Sequence, residues 1–172
     1  MSNIVEAPID IQALSTHQCA LFLAMLKTGG PVLELGCGYG STPILHALCE
    51  GQRRALVSME SNAEWYERFA PLQTALHSFM LVTNWDSCDV TLGRSDWSVA
   101  LVDFAPGWDR PKAISKLASN VEYIVVHDTE PEAEHTYKFD TVRGLFAYKT
   151  RFSYSKPNTE VMSNKGFIVE CS

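Results

Sequence analysis

Residues 32–42, VLELGCGYGST, constrain this chain more than any other stretch. A short apolar run leads into Gly36, Gly38 and Gly40, glycines at every second position, and then into Ser41 and Thr42, hydroxyl residues suited to a helix start. Glycine lets a turn take conformations closed to other residues and brings backbone close to a ligand, and a helix start offers unpaired N–H groups. Strand, glycine turn and helix in that order predict a nucleotide-like ligand over Gly36, Gly38 and Gly40, with the rest of the chain forming a sheet around it.

Patterning elsewhere supplies that sheet. Residues 1–14 read as an irregular N-terminal segment containing Pro8, and residues 15–172 as one domain. A helix starts at Ser15 or Thr16 as cap, presents Ala20, Leu21, Phe22, Leu23, Ala24 and Leu26, and stops at Gly29, Gly30 and Pro31. Apolar runs predict strands at 32–35, 54–59, 78–83, 97–102 and 122–126. Helices are expected at 41–49, 63–76 with a break at Pro71, 111–118 and 132–146. Residues 151–155 and 166–171 read as a closing hairpin turned around Pro157 and Asn158, so at least one of the two runs against the parallel strands. Alternation of this kind is an α/β doubly wound sheet, and right-handed crossovers bring the strand ends to one rim. Ligands bind at that rim in open α/β sheets. The polar residues delivered there are Gly36, Glu60, Asn84 with Asp86, Asp103, and His127 with Asp128.

Each of these has two readings. Glu34 sits within a strand, where an unpaired carboxylate is expensive, so it serves the glycine loop or a cationic ligand group, or else faces solvent at an edge. Glu60 can accept both hydroxyls of a ribose or cap the helix beginning near Asn62. Asn84 and Asp86 can bond an adenine edge with Trp85 or Tyr39 packed nearby, while Asp86 is equally suited to cap the turn after it. Asp103 and Asp128 can hold a divalent ion, position a base, or cap the segments that follow. His127 is the histidine at a strand end, placed to take a proton near neutral pH or to serve structure. Trp108 is a candidate wall for an acceptor pocket. The other histidines, His17 among them, fall on helices or at their edges and rank low.

Composition narrows the partners. A formal net charge of -6 argues against a large basic nucleic-acid surface. Five cysteines without a CxxC pair predict reduced, mostly buried thiols, and with no signal-like or membrane-length apolar run the expected compartment is cytoplasmic.

At this point the chain resembles the class I S-adenosylmethionine-dependent methyltransferases over roughly residues 30–171. VLELGCGYGS is similar to that family's E/DxGxGxG motif. Glu60 stands where the family binds ribose, VTNWD where it contacts adenine, and LVDFAP where its motif after the fourth strand lies. The resemblance implies a Rossmann-like sheet of seven strands in the order 3-2-1-4-5-7-6 with the last strand antiparallel. It also implies S-adenosyl-L-methionine as cofactor, with Glu34, Gly36, Gly38, Tyr39, Glu60, Asn84, Trp85, Asp86 and Asp103 around it. A dinucleotide-type GxGxxG would need glycine at position 41, which is Ser41. VVHDTE and DFAPGWDR look closest to small-molecule O-methyltransferases, some of which hold magnesium with such acids. Asp103 and Asp128 match two ligand positions, but Thr129 stands where an Asn or Asp is expected, so no metal ligand is assigned.

The expected function is therefore methyl transfer to a small-molecule acceptor, with His127, Asp128 and Asp103 as the catalytic set. The alternatives are a nicotinamide-nucleotide-dependent oxidoreductase and a non-catalytic cofactor-binding subunit of a complex. A homo-oligomer or a partner protein stays open.

Overall fold

A computed structural model of the chain describes residues 16–169. After α1 (Gln18–Lys27) the chain alternates β1 (Val32–Leu35), α2 (Thr42–Gln52), β2 (Leu56–Glu60), α3 (Ala63–Phe69), β3 (His77–Leu81), β4 (Trp97–Val102), α4 (Arg110–Leu117) and β5 (Val121–His127). Two four-residue helices, α5 (Glu134–Tyr137) and α6 (Asp140–Arg143), precede β6 (Tyr148–Phe152) and β7 (Thr159–Ser163). The seven strands form one sheet in the order β3-β2-β1-β4-β5-β7-β6. Only β7 opposes the others, pairing antiparallel with both β5 and β6.

Alternation along the strands builds a core on each face of this sheet. Leu33 and Leu35 of β1, Ala100 and Val102 of β4, and Ile124 and Val126 of β5 face α4 and the segment holding Phe139, Val142 and Phe146. Val32, Val99, Leu101, Tyr123 and Val125 face Ala20, Leu21, Ala24 and Met25 of α1 and Leu45 and Cys49 of α2. Arg54, 4% exposed, fastens α1 to this layer by donating to the carbonyls of Met25, Thr28 and Gly30. With β1 buried on both faces between β2 and β4, whatever leaves its C-terminal end emerges at the centre of the rim.

The fold class and strand order match expectation, and several boundaries do not. The last strand is Thr159–Ser163, not 166–171. Its residues TEVMS look half-polar in sequence, yet all five are buried because β7 lies inside the sheet and Glu160 is paired with Arg143 and Arg151. The helix expected over 132–146 is broken at Lys138, whose left-handed conformation (φ 54°) ends α5 and turns Phe139 and Val142 into the core. Pro71 ends the helix expected over 63–76 at a short 3-10 turn, Ala70–Leu72. The first helix has no side-chain cap: Ser15 and the 1–14 segment lie outside the described residues, and Thr16 bonds elsewhere. Of the described cysteines only Cys49 is buried, and Cys19 is exposed. Among the described residues no helix is long and apolar enough to cross a membrane.

Candidate active site

The glycine turn is positioned from both sides. Gly36 donates to the Met59 carbonyl (2.9 Å) and Asp103 donates to the Leu35 carbonyl (2.9 Å), so the parallel ladders of β1 with β2 and β4 run on into the turn. Gly36 has φ 94°, and a Cβ there would meet the Asp103 carbonyl oxygen at 2.4 Å. This close approach seats the exit of β4 beside the turn. Gly38 differs: a Cβ there would touch only Ser41 Oγ, at 3.8 Å, leaving open space above the backbone.

Glu34 is wholly buried beneath this turn, where it accepts from Ser41 Oγ (2.6 Å), Thr42 Oγ1 (2.9 Å) and Ser58 Oγ (2.5 Å). The hydroxyls available to cap α2 thus point down to anchor it, and Glu34 does not reach the rim. Ser58 continues to His77 Nε2 (2.8 Å) and His77 Nδ1 to His46 Nδ1 (3.2 Å). Burial raises the Glu34 carboxyl from 4.5 to about 7 against the pull of its three hydroxyl donors. Burial, then the neighbouring His46, lowers His77 from 6.5 to about 4.

The two shifts act on stability with opposite sign. Glu34 stays protonated longer in the folded state, so its contribution is complete below pH 4.5 and is lost as pH rises to 7, about 3 kcal/mol in all. His77 stays neutral in the folded state, so its contribution is complete above pH 6.5 and is lost as pH falls to 4. Between pH 4.5 and 6.5 the slopes cancel. Glu34→Gln should unmask the histidine, giving a urea-unfolding free energy that climbs with pH across that window; a profile parallel to wild type would refute this opposition.

At the end of β2, Glu60 accepts from Cys37 N (2.8 Å), Ser61 N (2.7 Å) and Asn62 N (2.7 Å), tying the glycine turn to the start of α3. Asn62 supplies the cap of α3 itself, accepting from Glu64 N and Trp65 N.

The residues expected around an adenine each have partners within the protein. Trp85 is a core residue, 6% exposed, stacked on Phe104 (4.0 Å) and donating to the Ala105 carbonyl. Asn84 accepts from Asp86 N (2.8 Å) within its own turn, and Asp86 is drawn to Lys112 Nζ (2.5 Å) on α4. Tyr39 is exposed, edge-on to Trp65 and Phe69, with its hydroxyl accepting from Arg68 (2.6 Å). Trp108 is exposed on the loop between β4 and α4.

Asp103, His127 and Asp128 converge around a residue that sequence reading passed over. The guanidinium of Arg110, in the first turn of α4 and 5% exposed, donates to Asp103 Oδ1 (3.1 Å), Asp128 Oδ2 (2.9 Å) and the carbonyls of Phe104 (2.7 Å) and His127 (3.2 Å). The two remaining carboxylate oxygens face His127 Nδ1, at 3.2 Å from Asp103 and 3.3 Å from Asp128. His127 Nε2 lies 2.7 Å from Thr16 Oγ1. Burial opposes charge at His127, but the Asp103 hydrogen bond and the Asp103 and Asp128 charges outweigh it and raise the imidazole above its usual value. Burial would raise Asp103, yet His127 and Arg110 hold it below the carboxylate norm. His17, just ahead of α1, also enters this cluster, with its ring 4.9 Å from that of His127. In sequence, the signal for Arg110 was an arginine opening a helix between two strand-end aspartates; His17 carried none.

No family model and no curated protein matches this chain. Solved structures do match it. The N-terminal domain of EvdMO1, crystallised in the presence of SAH and D-fucose, is 14% identical with a TM-score of 0.60, the match covering 94% of this chain and 90% of that one. An rRNA methylase from Streptococcus thermophilus is 15% identical with a TM-score of 0.54 over 93% and 98%. The CcbJ methyltransferase from Streptomyces caelestis is 21% identical with a TM-score of 0.51 over 78% and 59%. The fold is the class I methyltransferase fold. A magnesium ion shared by Asp103 and Asp128 does not suit this chain, because Arg110 already spans the pair as a fixed cation and Thr129 completes no acidic set.

Proposed function

We propose that this chain is an S-adenosylmethionine-dependent methyltransferase acting on a small-molecule acceptor. The observation that carries the reading is the seating of Asp103 against the Gly36 turn, with Glu60 tied to the same turn. S-adenosylmethionine supplies a methyl group activated by its sulfonium charge. The chain's part is to bind and orient: Glu60 accepts the ribose hydroxyls, Gly38 admits the methionine end, and Asp103 stands at the boundary between cofactor and acceptor. His127 is 7% exposed with both ring nitrogens near partners, which suits positioning better than contact with an acceptor. Asp128, its side chain 23% exposed, is the better placed group to take the acceptor's proton, and Arg110 holds its carboxylate in place. A net charge of -6 supports a small acceptor over a nucleic acid.

Parallel calorimetric titrations with S-adenosylhomocysteine and NAD test the cofactor. Binding of the first and not the second is expected, and no affinity for S-adenosylhomocysteine would sink the reading. Glu60→Ala should weaken that affinity by about tenfold or more through loss of a charge-assisted hydrogen-bond acceptor. Unchanged affinity would leave Glu60 with its loop alone. Methyl transfer from labelled cofactor to hydroxylated small molecules, run beside ribosomal RNA, tests the acceptor class.

A further inference from the structure

His17 is 4% exposed, and although the Gly40 backbone approaches its ring, neither ring nitrogen makes a well-formed hydrogen bond among the described residues. Buried polar groups are nearly always paired, and an unpaired one is expensive enough to call for a water or an ion. Its neighbours are of one chemical kind. One donor atom each from His17, Asp103 and His127 lie within 4.8 Å of one another, delivered by the start of α1 and the ends of β4 and β5. Two imidazoles and a carboxylate converging from separate rigid elements are a donor set for first-row divalent ions.

We propose that His17, Asp103 and His127 hold one divalent transition ion of the imidazole-binding class, zinc or ferrous iron. Asp103 Oδ1 is spent on Arg110, which leaves Oδ2, the oxygen facing His127 Nδ1, for the ion. Thr16 Oγ1, bonded to His127 Nε2, fixes the ring and leaves its other nitrogen directed at Asp103, the outer support that ligating histidines ordinarily have. A proton on His127 would satisfy the carboxylates but would do nothing for His17, whose contact with the Gly40 backbone is not a well-formed hydrogen bond; an ion satisfies His17 as well. With both histidines neutral, Asp103, Asp128 and Arg110 sum to a single negative charge, so a dication is electrostatically welcome. This set shares only Asp103 with the all-oxygen arrangement that Arg110 blocks, and its nitrogen donors select against magnesium. On the reading proposed above, the ion's open positions would hold an acceptor oxygen beside the glycine turn.

The test is a titration of the metal-free full chain, with any purification tag removed, using Co2+ followed by visible absorption and Zn2+ in competition. Saturation at one equivalent is expected, with d–d bands of a nitrogen–oxygen site, displacement by Zn2+ and none by millimolar Mg2+. His17→Ala and His127→Gln should each weaken binding at least about a hundredfold, while His46→Ala, away from the cluster, should leave it unchanged. Absence of saturable Co2+ binding, or binding indifferent to His17→Ala, would overturn the site. Circular dichroism of each variant reports its folding, and His17→Gln serves if the alanine variant unfolds. The S-adenosylhomocysteine titration is read separately, so failure of the metal site and failure of the methyltransferase reading give different results.

Discussion

Gly36→Ala is expected to destabilise the chain by about 3–5 kcal/mol and to abolish cofactor binding. Two costs combine. At φ 94° an L side chain is strained whatever the space around it, and here there is no space: the added carbon would lie 2.4 Å from the Asp103 carbonyl oxygen and 2.8 Å from Phe104 Cα. Both obstacles are backbone, which cannot swing aside as a flexible side chain would. Relief therefore requires separating the end of β1 from the end of β4 at the centre of the sheet. Gly38→Ala provides the contrast, since its new carbon would meet one atom at 3.8 Å. Its stability should stay within about 0.5 kcal/mol of wild type, while its affinity for S-adenosylhomocysteine falls because the methyl group enters the space a ligand would use. Urea unfolding and calorimetry on the two variants separate the effects. Equal stability of Gly36→Ala and wild type would show that the β1–β4 approach is looser than described.

Arg110→Met should cost about 3–5 kcal/mol and remove activity. A guanidinium lies between Asp103 and Asp128 and balances the pair; without it, two partly buried carboxylates face each other beside His127 with the arginine's fixed charge gone. Removing one member of a buried charge network leaves the others uncompensated, and the Phe104 and His127 carbonyls lose a donor as well. Arg110→Lys keeps the charge without the planar fork, so it should recover part of the stability and little of the activity. A methionine variant with wild-type unfolding and turnover would show that the arginine is incidental.

What sequence could and could not disclose follows from the range of the interactions. The glycine turn, Glu60, Asp103 and Asp128 were legible because they sit at strand ends, and the alternation of strands and helices puts all such ends on one rim. The burial of Trp85 was not legible, because adjacency to Asn84 and Asp86 says nothing about which side of the sheet an indole seeks; packing against Phe104 decides it. The last strand was misplaced for a related reason. Glu160 looks like a loop residue until Arg143 and Arg151 are known to meet it. Arg110 and His17 went unrecognised because each draws its meaning from partners far away in the chain, such as Asp128 for the one and His127 for the other.

The sheet order has a consequence for how ligand occupancy and folding are linked. One half of the chain contributes β3, β2 and β1, the other β4, β5, β7 and β6, and within the sheet the halves meet along the ladder between β1 and β4, with α1 packed across onto β4 and β5. The glycine turn and Glu60 lie on one side of that ladder, and Asp103, Asp128 and Arg110 lie on the other. A ligand spanning them acts as mortar between two courses of the wall: it grips neither half alone, so its binding energy is spent against cooperative unfolding of the whole sheet and not against the fraying of a loop.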